Sequence, residues 1–244
     1  MDLNLTEEQI MLKDVAKDFL AIECPRSLVR EMENHTTGHD KDLWNKMAEL
    51  GWLGLVFPEE YGGVGMSFQD MTVVLEEMGA SLMPGPYFST VVLCGQAIRD
   101  FGTEQQMEKY LNGIANGEMV VALANTEVNG KYDAEGIELS AIVTGDDYIL
   151  TGTKMFVQDG QAADYFLVSA RSGDYDNPEE GVSFFVVDAK TSGVEVLSLD
   201  VMGMDNQAKV NFDHVKISAD ALVGTIDQGW IIAERLLVWG SVGK

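Results

Sequence analysis

The sequence predicts an α+β fold: a helical first half, a β second half and a closing helix. Three observations predict it. Apolar residues recur at helical spacing behind capping signals up to about Gly117. From Glu118 the period changes to short β-branched and aromatic runs separated by Gly- and Asp-rich turns. After Gly224 helical spacing returns, and the chain stays apolar almost to Lys244. The 244 residues are enough for one large or two ordinary domains.

In the first half, Thr6 with Gln9 forms a capping box before a stripe of Met11, Leu12, Val15, Ala16, Phe19 and Leu20. Leu43, Trp44, Met47 and Leu50 make a second stripe, with Gly51 as its C-terminal cap. Trp52 to Phe57 is continuously apolar and ends at Pro58, which reads as a buried extended connector. Pro58 to Gly65, PEEYGGVG, lacks dinucleotide-fingerprint spacing and reads as a tight glycine-built turn. Ser67 with Asp70 caps a helix bearing Met71, Val74, Leu75 and Met78. Beyond the break at Pro84-Gly85-Pro86, a helix is expected around Val91 to Phe101. Thr103 with Gln106 then caps another, carrying Met107, Tyr110, Leu111 and Ile114.

The strands expected next are Met119–Ala124, Ile137–Val143, a central pair, Val182–Val187, Val194–Leu197 and Val210–Ile217. Such a succession suggests a β barrel or sandwich. The central pair reads as a hairpin. Tyr148 to Val157 would form its first arm, Asp159-Gly160 the turn, and Tyr165 to Val168 the second. Arg171 to Gly181 is polar and reads as an exposed loop. In the last helix Ile231, Ile232, Leu236, Leu237, Val238, Trp239 and Val242 cover most of the circumference. Either another chain or a further helical domain is expected to cover it.

Composition narrows the function. The net charge of −24, from 40 acidic and 16 basic residues, argues against nucleic acid and anionic membrane surfaces as partners. No apolar run is long enough for a membrane span. Two distant cysteines, Cys24 and Cys94, and an N-terminus without a basic-then-apolar leader suggest a cytoplasmic protein with reduced thiols. His35 and His39 stand four apart near Glu33 and Asp40, but no second cluster supports a metal site, and none is expected. No hydrolase-type nucleophile motif stands out.

Gly152, Lys154, Val157, Gly160, Ala163-Asp164 and Ala170-Arg171 resemble the flavin-side hairpin of acyl-CoA dehydrogenases. PEEYGGVG resembles that family's turn in the helical domain. Tyr110-Leu111, Gly117-Glu118 and Thr126-Glu127 resemble the run into its flavin-binding strand. Met202-Gly203, Phe212-Asp213, Val215 and Leu222 to Gly224 resemble the end of its β domain. The resemblance covers about 230 residues in the right order. It implies an all-α domain over 1–117, an antiparallel β-barrel domain over 118–225, and, over 226–244, the first helix of a helical-bundle domain missing from this chain.

The resemblance also implies function. FAD would lie against the β domain, with an acyl-CoA thioester on its other face being oxidised to the enoyl-CoA. Thr126 would contact the flavin, flanked by Leu123 and Asn125. Gly130 and Lys131 would sit near polar groups of the ligand. Phe156 would lie against the ring, Val157 would follow it, and Gln158 would approach the flavin N5. An electron-transfer flavoprotein or similar acceptor, and homo- or hetero-oligomeric assembly with related subunits, are implied as partners. The family pattern is not kept throughout. Its usual Pro, Trp, Thr or Ser, and Arg are here Val128, Phe156, Gln158 and Asp205, and its Gly-Ser-Asp run is Gly130-Lys131-Tyr132.

Most members place the catalytic base in the C-terminal helical domain, so the chain by itself is expected to oxidise acyl-CoA poorly. Some place a Glu within a Glu-Arg-Leu run on that domain's first helix, which Glu234-Arg235-Leu236 resembles. A count from Gly240 and Gly243 puts Ala233 there instead, and a surface or intersubunit salt bridge is the other reading of Glu234. Two functions stay open: a flavin-dependent acyl-CoA dehydrogenase lacking most of its catalytic domain, or a non-catalytic structural or ligand-binding subunit of a heteromeric one.

Overall fold

A computed structural model describes residues 4–203 and 205–244. The first three residues of the stretch read for a leader lie outside the described residues. The helical part contains α1 (Glu7–Glu23), α2 (Arg26–Met32), α3 (Lys41–Glu49) and α4 (Phe68–Ala80). It continues with α5 (88–101) and α6 (104–115), each partly wound in wide i→i+5 turns, over Phe88–Gly95 and Met107–Leu111. All three capping boxes form, on α1, α4 and α6. Gly51 adopts the left-handed backbone expected of a C-terminal cap.

The apolar run Trp52 to Phe57 is buried as expected, but it is not extended. It coils through a 3₁₀ turn at Trp52–Gly54, because the glycine turn behind it folds back onto its backbone. Val64 N–H donates to Gly54 O, and Gly65 N–H to Phe57 O. A Cβ on Gly63 would stand 2.0 Å from Phe57 O, so only glycine fits that approach.

Eight strands follow: β1 (Val121–Ala124), β2 (Ser140–Thr144), β3 (Asp147–Gln158), β4 (Tyr165–Arg171), β5 (Val182–Asp188), β6 (Val194–Leu199), β7 (Gln207–Ser218) and β8 (Leu222–Val223). They form one sheet in the order β6-β7-β3-β2-β4-β5-β8, with β1 paired to β4. Two expectations need correction here. The sheet is open, not a closed antiparallel barrel. Its path ends at β6 and at the two-residue β8, and β4 pairs in parallel with both β1 and β2.

The central hairpin is also not one, since β3 and β4 share no ladder. The true hairpin is β2–β3, turning at Gly145, whose φ is +65°. Residues 159–164 instead carry the chain across to β4: Asp159 N–H donates to Asn206 O, and Asp164 N–H to Val120 O. Asp159, not Gly160, takes the left-handed backbone; Gly160 is needed because a Cβ there would meet Ala208 Cβ at 2.7 Å.

Strand β5 is buried on both faces, which explains its apolar run from Phe184 to Val187. Phe184 and Val186 face a core shared with the helices, alongside Trp44, Phe57, Val91 and Leu111. Phe185 and Val187 face a second core with Leu150 of β3 and Val210, Phe212 and Val215 of β7. The helical part and the sheet are thus welded through β1, β4 and β5. The closing helix α7 (Trp230–Gly243) packs Ile232 and Leu236 into the first core. Its opposite side leaves Ile231, Leu237, Val238 and Val242 exposed. No helix among the described residues is long and apolar enough to cross a membrane.

Candidate active site

Strand β1 ends at Ala124, and the chain continues as Asn125-Thr126-Glu127 into a loop that returns at β2. Two structures meet at this point. One is a cleft of about 620 Å³ between the end of β1, the start of α5 and the flank of α7. Phe88, Leu93, Leu123, Trp230, Leu236 and Leu237 give it apolar walls; Asn125, Tyr132, Glu234, Ser241 and Lys244 supply its polar groups. The Asn125 Oδ1 is buried and has no hydrogen-bond partner. Glu234 stands on the solvent side of α7 at the cleft, and it forms no ion pair among the described residues. Ala233, its rival in register, lines the same cleft.

The other structure is a bulge near the end of β3. The β3–β7 ladder slips between Lys154 and Val157. Inside the slip Phe156 has φ +54°, a left-handed conformation that bulky residues avoid, and the residue is 54% exposed. Nothing in packing accounts for an aromatic ring held outward at that backbone cost. Met155 N–H donates to Thr126 O at 2.8 Å, so the bulge lies against the segment leaving β1. The Thr126 side chain makes no hydrogen bond among the described residues and is only half-buried. The Gln158 side chain is exposed.

The residues expected to form a site therefore fall into three groups. Leu123, Asn125 and Glu234 share the cleft. Thr126, Phe156 and Gln158 surround the bulge, whereas Val157 turns inward and is buried in the second core. Gly130 and Lys131 lie on the exposed loop beyond. Gly130 has φ +70° with open space around it, and the Lys131 ammonium pairs with Glu135 at 2.8 Å. Tyr132, not Lys131, reaches the cleft.

Sequence reasoning passed over a buried ion pair beneath these groups. Lys154 Nζ lies 2.6 Å from Glu127 Oε1, with both side chains almost wholly buried. Burial pushes the Lys154 ammonium down to about 8, and the attraction of Glu127 offsets this only in part. The signal was present, because a lysine at the centre of a strand rich in apolar residues must find a partner if it points inward. Among the described residues no three His, Cys, Asp or Glu side chains are placed to hold a metal ion.

Comparison with known proteins places this arrangement. The family model for the acyl-CoA dehydrogenase N-terminal domain matches residues 6–118, and that for the middle domain matches 122–215. A 3-(aryl)acrylate reductase of Clostridium sporogenes is 31% identical over 243 residues, spanning 98% of this chain and 64% of that protein. The butyryl-CoA dehydrogenase structure from Megasphaera elsdenii superposes with a TM-score of 0.88 at 30% identity, covering 100% of this chain and 65% of that one. A chain in a structure reported for the electron transferring flavoprotein of Acidaminococcus fermentans gives 0.86 at 34% identity, covering 100% and 64%. This chain thus spans about 64% of the length of the first of these proteins. By both domain models and by fold, it belongs to the acyl-CoA dehydrogenase family.

Proposed function

We propose that this chain carries the flavin- and acyl-binding part of an acyl-CoA dehydrogenase, which oxidises the Cα–Cβ bond of an acyl-CoA thioester to the enoyl-CoA. The observation that supports it most is Phe156. A left-handed bulge aims an aromatic ring at solvent, beside the Thr126 hydroxyl and Gln158 amide, which have no partner among the described residues. This donor set fits FAD: a flat apolar platform flanked by two groups able to hydrogen-bond a conjugated ring. When bound, FAD supplies the acceptor for the hydride leaving Cβ.

The chain's own residues do the rest. Val157 anchors the bulge in the core, and Leu123 and Asn125 shape the adjoining cleft for the acyl group. Its apolar walls exclude water from the carbon chain. Glu234, at the cleft and without an ion-pair partner among the described residues, would receive the proton from Cα. Gly130 and Lys131 sit where the ligand's polar portion would emerge, with Lys131 released from Glu135. An electron-transfer flavoprotein or similar acceptor would then reoxidise the cofactor. The exposed apolar side of α7 supports assembly with a like or related subunit. That feature also keeps a second reading alive, a non-catalytic subunit of a heteromeric dehydrogenase.

Visible absorption after incubation with FAD and gel filtration tests the proposal. The protein is expected to retain a flavin band, and acyl-CoA is expected to bleach it slowly, in line with poor oxidation by the chain alone. Phe156→Gly is expected to weaken flavin binding about 3- to 10-fold, the worth of one aromatic contact. The same change should raise thermal stability by roughly 1 kcal/mol, because it releases the left-handed strain. Absence of any retained flavin would reject the dehydrogenase reading and leave the non-catalytic one.

A further inference from the structure

The site as described leaves Lys154 without a role. Among the described residues it is the only buried lysine or arginine. Its ammonium has three donors, and all are used: on Glu127 Oε1 at 2.6 Å, Ser169 Oγ at 3.0 Å and the Asn125 main-chain carbonyl at 3.2 Å. Glu127 in turn accepts from Glu138 N–H and Leu139 N–H, both at 3.0 Å on Oε1. The loop between β1 and β2 is therefore pinned at its start, through Asn125 and Glu127, and at its end, through Glu138 and Leu139.

Stability alone does not explain such a pair. The cost of desolvating two charges commonly cancels their attraction, and apolar residues of similar volume do as well. What the pair supplies is a connection that the sheet lacks. Strands β1 and β3 share no ladder. Two successive carbonyls leaving β1 are nevertheless held by two successive residues of β3: Asn125 O by the Lys154 side chain, and Thr126 O by Met155 N–H. The next residue is Phe156.

We propose that Lys154 is a positioning residue, whose grip on the Asn125 carbonyl fixes the Asn125–Thr126 segment relative to the Phe156 bulge and so sets the two halves of the flavin site against each other. This rests on the flavin reading given above. Lys154 touches neither ligand; it acts through Asn125.

The tests begin without flavin. In the unsubstituted protein the Met155 amide is expected to exchange as slowly as the Val210 amide in the β7 ladder. Exchange at the rate of the exposed 129–133 loop would overturn the proposal. The paired replacement Glu127→Leu with Lys154→Met removes both charges and should keep the thermal midpoint close to that of the parent. It is expected to speed Met155 exchange and to weaken FAD binding by about 10-fold or more, the effect of losing a hydrogen bond from a charged donor. Glu127→Gln, which leaves Lys154 able to donate to Asn125, should keep FAD binding within about 3-fold.

A paired variant that is as stable as the parent, with unchanged Met155 exchange and FAD affinity, would show that the ion pair is only structural. If the paired variant does not fold, parent exchange and Glu127→Gln decide, and a 10-fold loss in Glu127→Gln counts against Lys154. Failure of the parent to bind FAD sinks the flavin reading instead, while the exchange result still judges the tether.

Discussion

Glu234→Gln in the flavin-loaded protein is expected to lower acyl-CoA oxidation by about 10²–10⁴-fold, the usual cost of removing a general base. The amide is nearly isosteric with the carboxylate but cannot take the α-proton. Binding of the thioester should change little, because Leu123, Leu236, Leu237 and Trp230 make up most of the cleft wall and stay in place. The fall should therefore appear in kcat with KM nearly constant. Ala233 faces the same cleft one residue earlier, so Ala233→Glu in the Glu234→Gln background should restore part of the rate if helix register is what matters. Equal rates for Glu234→Gln and the parent would move the base elsewhere and return Glu234 to a surface role.

Asp159→Asn is expected to stabilise the protein at neutral pH by up to about 3 kcal/mol. Asp159 is 5% exposed, and burial lifts its carboxyl to about 6; a hydrogen bond from Ser89 Oγ at 2.6 Å opposes this, and Asp205 adds to it. The folded-state value lies above the ordinary one, so the folded chain binds the proton more tightly. Stability is accordingly highest while the group is protonated. It falls as pH rises from the ordinary carboxylate value through about 6, and stays lower above that. Asparagine keeps an acceptor for Ser89 and tolerates the left-handed backbone at this position, whose φ is 57°. Denaturant unfolding at pH 7.5 should show the gain, and the decline between about pH 4 and 6 should flatten. No gain at pH 7.5 would mean that the carboxylate is better solvated than its burial implies.

The helical part was legible because its signals are local. A capping box needs only residues three apart, and Thr6/Gln9, Ser67/Asp70 and Thr103/Gln106 all close as read. The strands were legible as segments but not as partners. Tyr148 to Val168 looks like a hairpin because Asp159-Gly160 is a turn signal, and nothing nearby in sequence shows that β2 will lie between the arms. Closure of the sheet was misjudged for the same reason, since Leu222-Val223 is too short to reveal that it ends the path. At the site, Leu123, Asn125 and Glu234 do share one cleft. The left-handed turn at Phe156 was hidden, because a bulge depends on register against β7, and register is not written in either strand alone.

The ladder between β3 and β7 has a further consequence, for the order in which the chain can assemble. Asp147 pairs with Ser218, so this ladder joins positions roughly 70 apart, and contacts of that span slow folding. A ribosome must release almost the whole sheet before Leu150 can meet Val215, whereas α1 and α4 find each other within the first third of the chain. Until then the apolar side of β3 waits uncovered, and this nascent species is the one most open to capture by chaperones or by another copy. Pulse-labelled hydrogen exchange during refolding should show amides of α4 and α5 protected before those of β3 and β7. Simultaneous protection would mean that the sheet and the helices form as one cooperative unit.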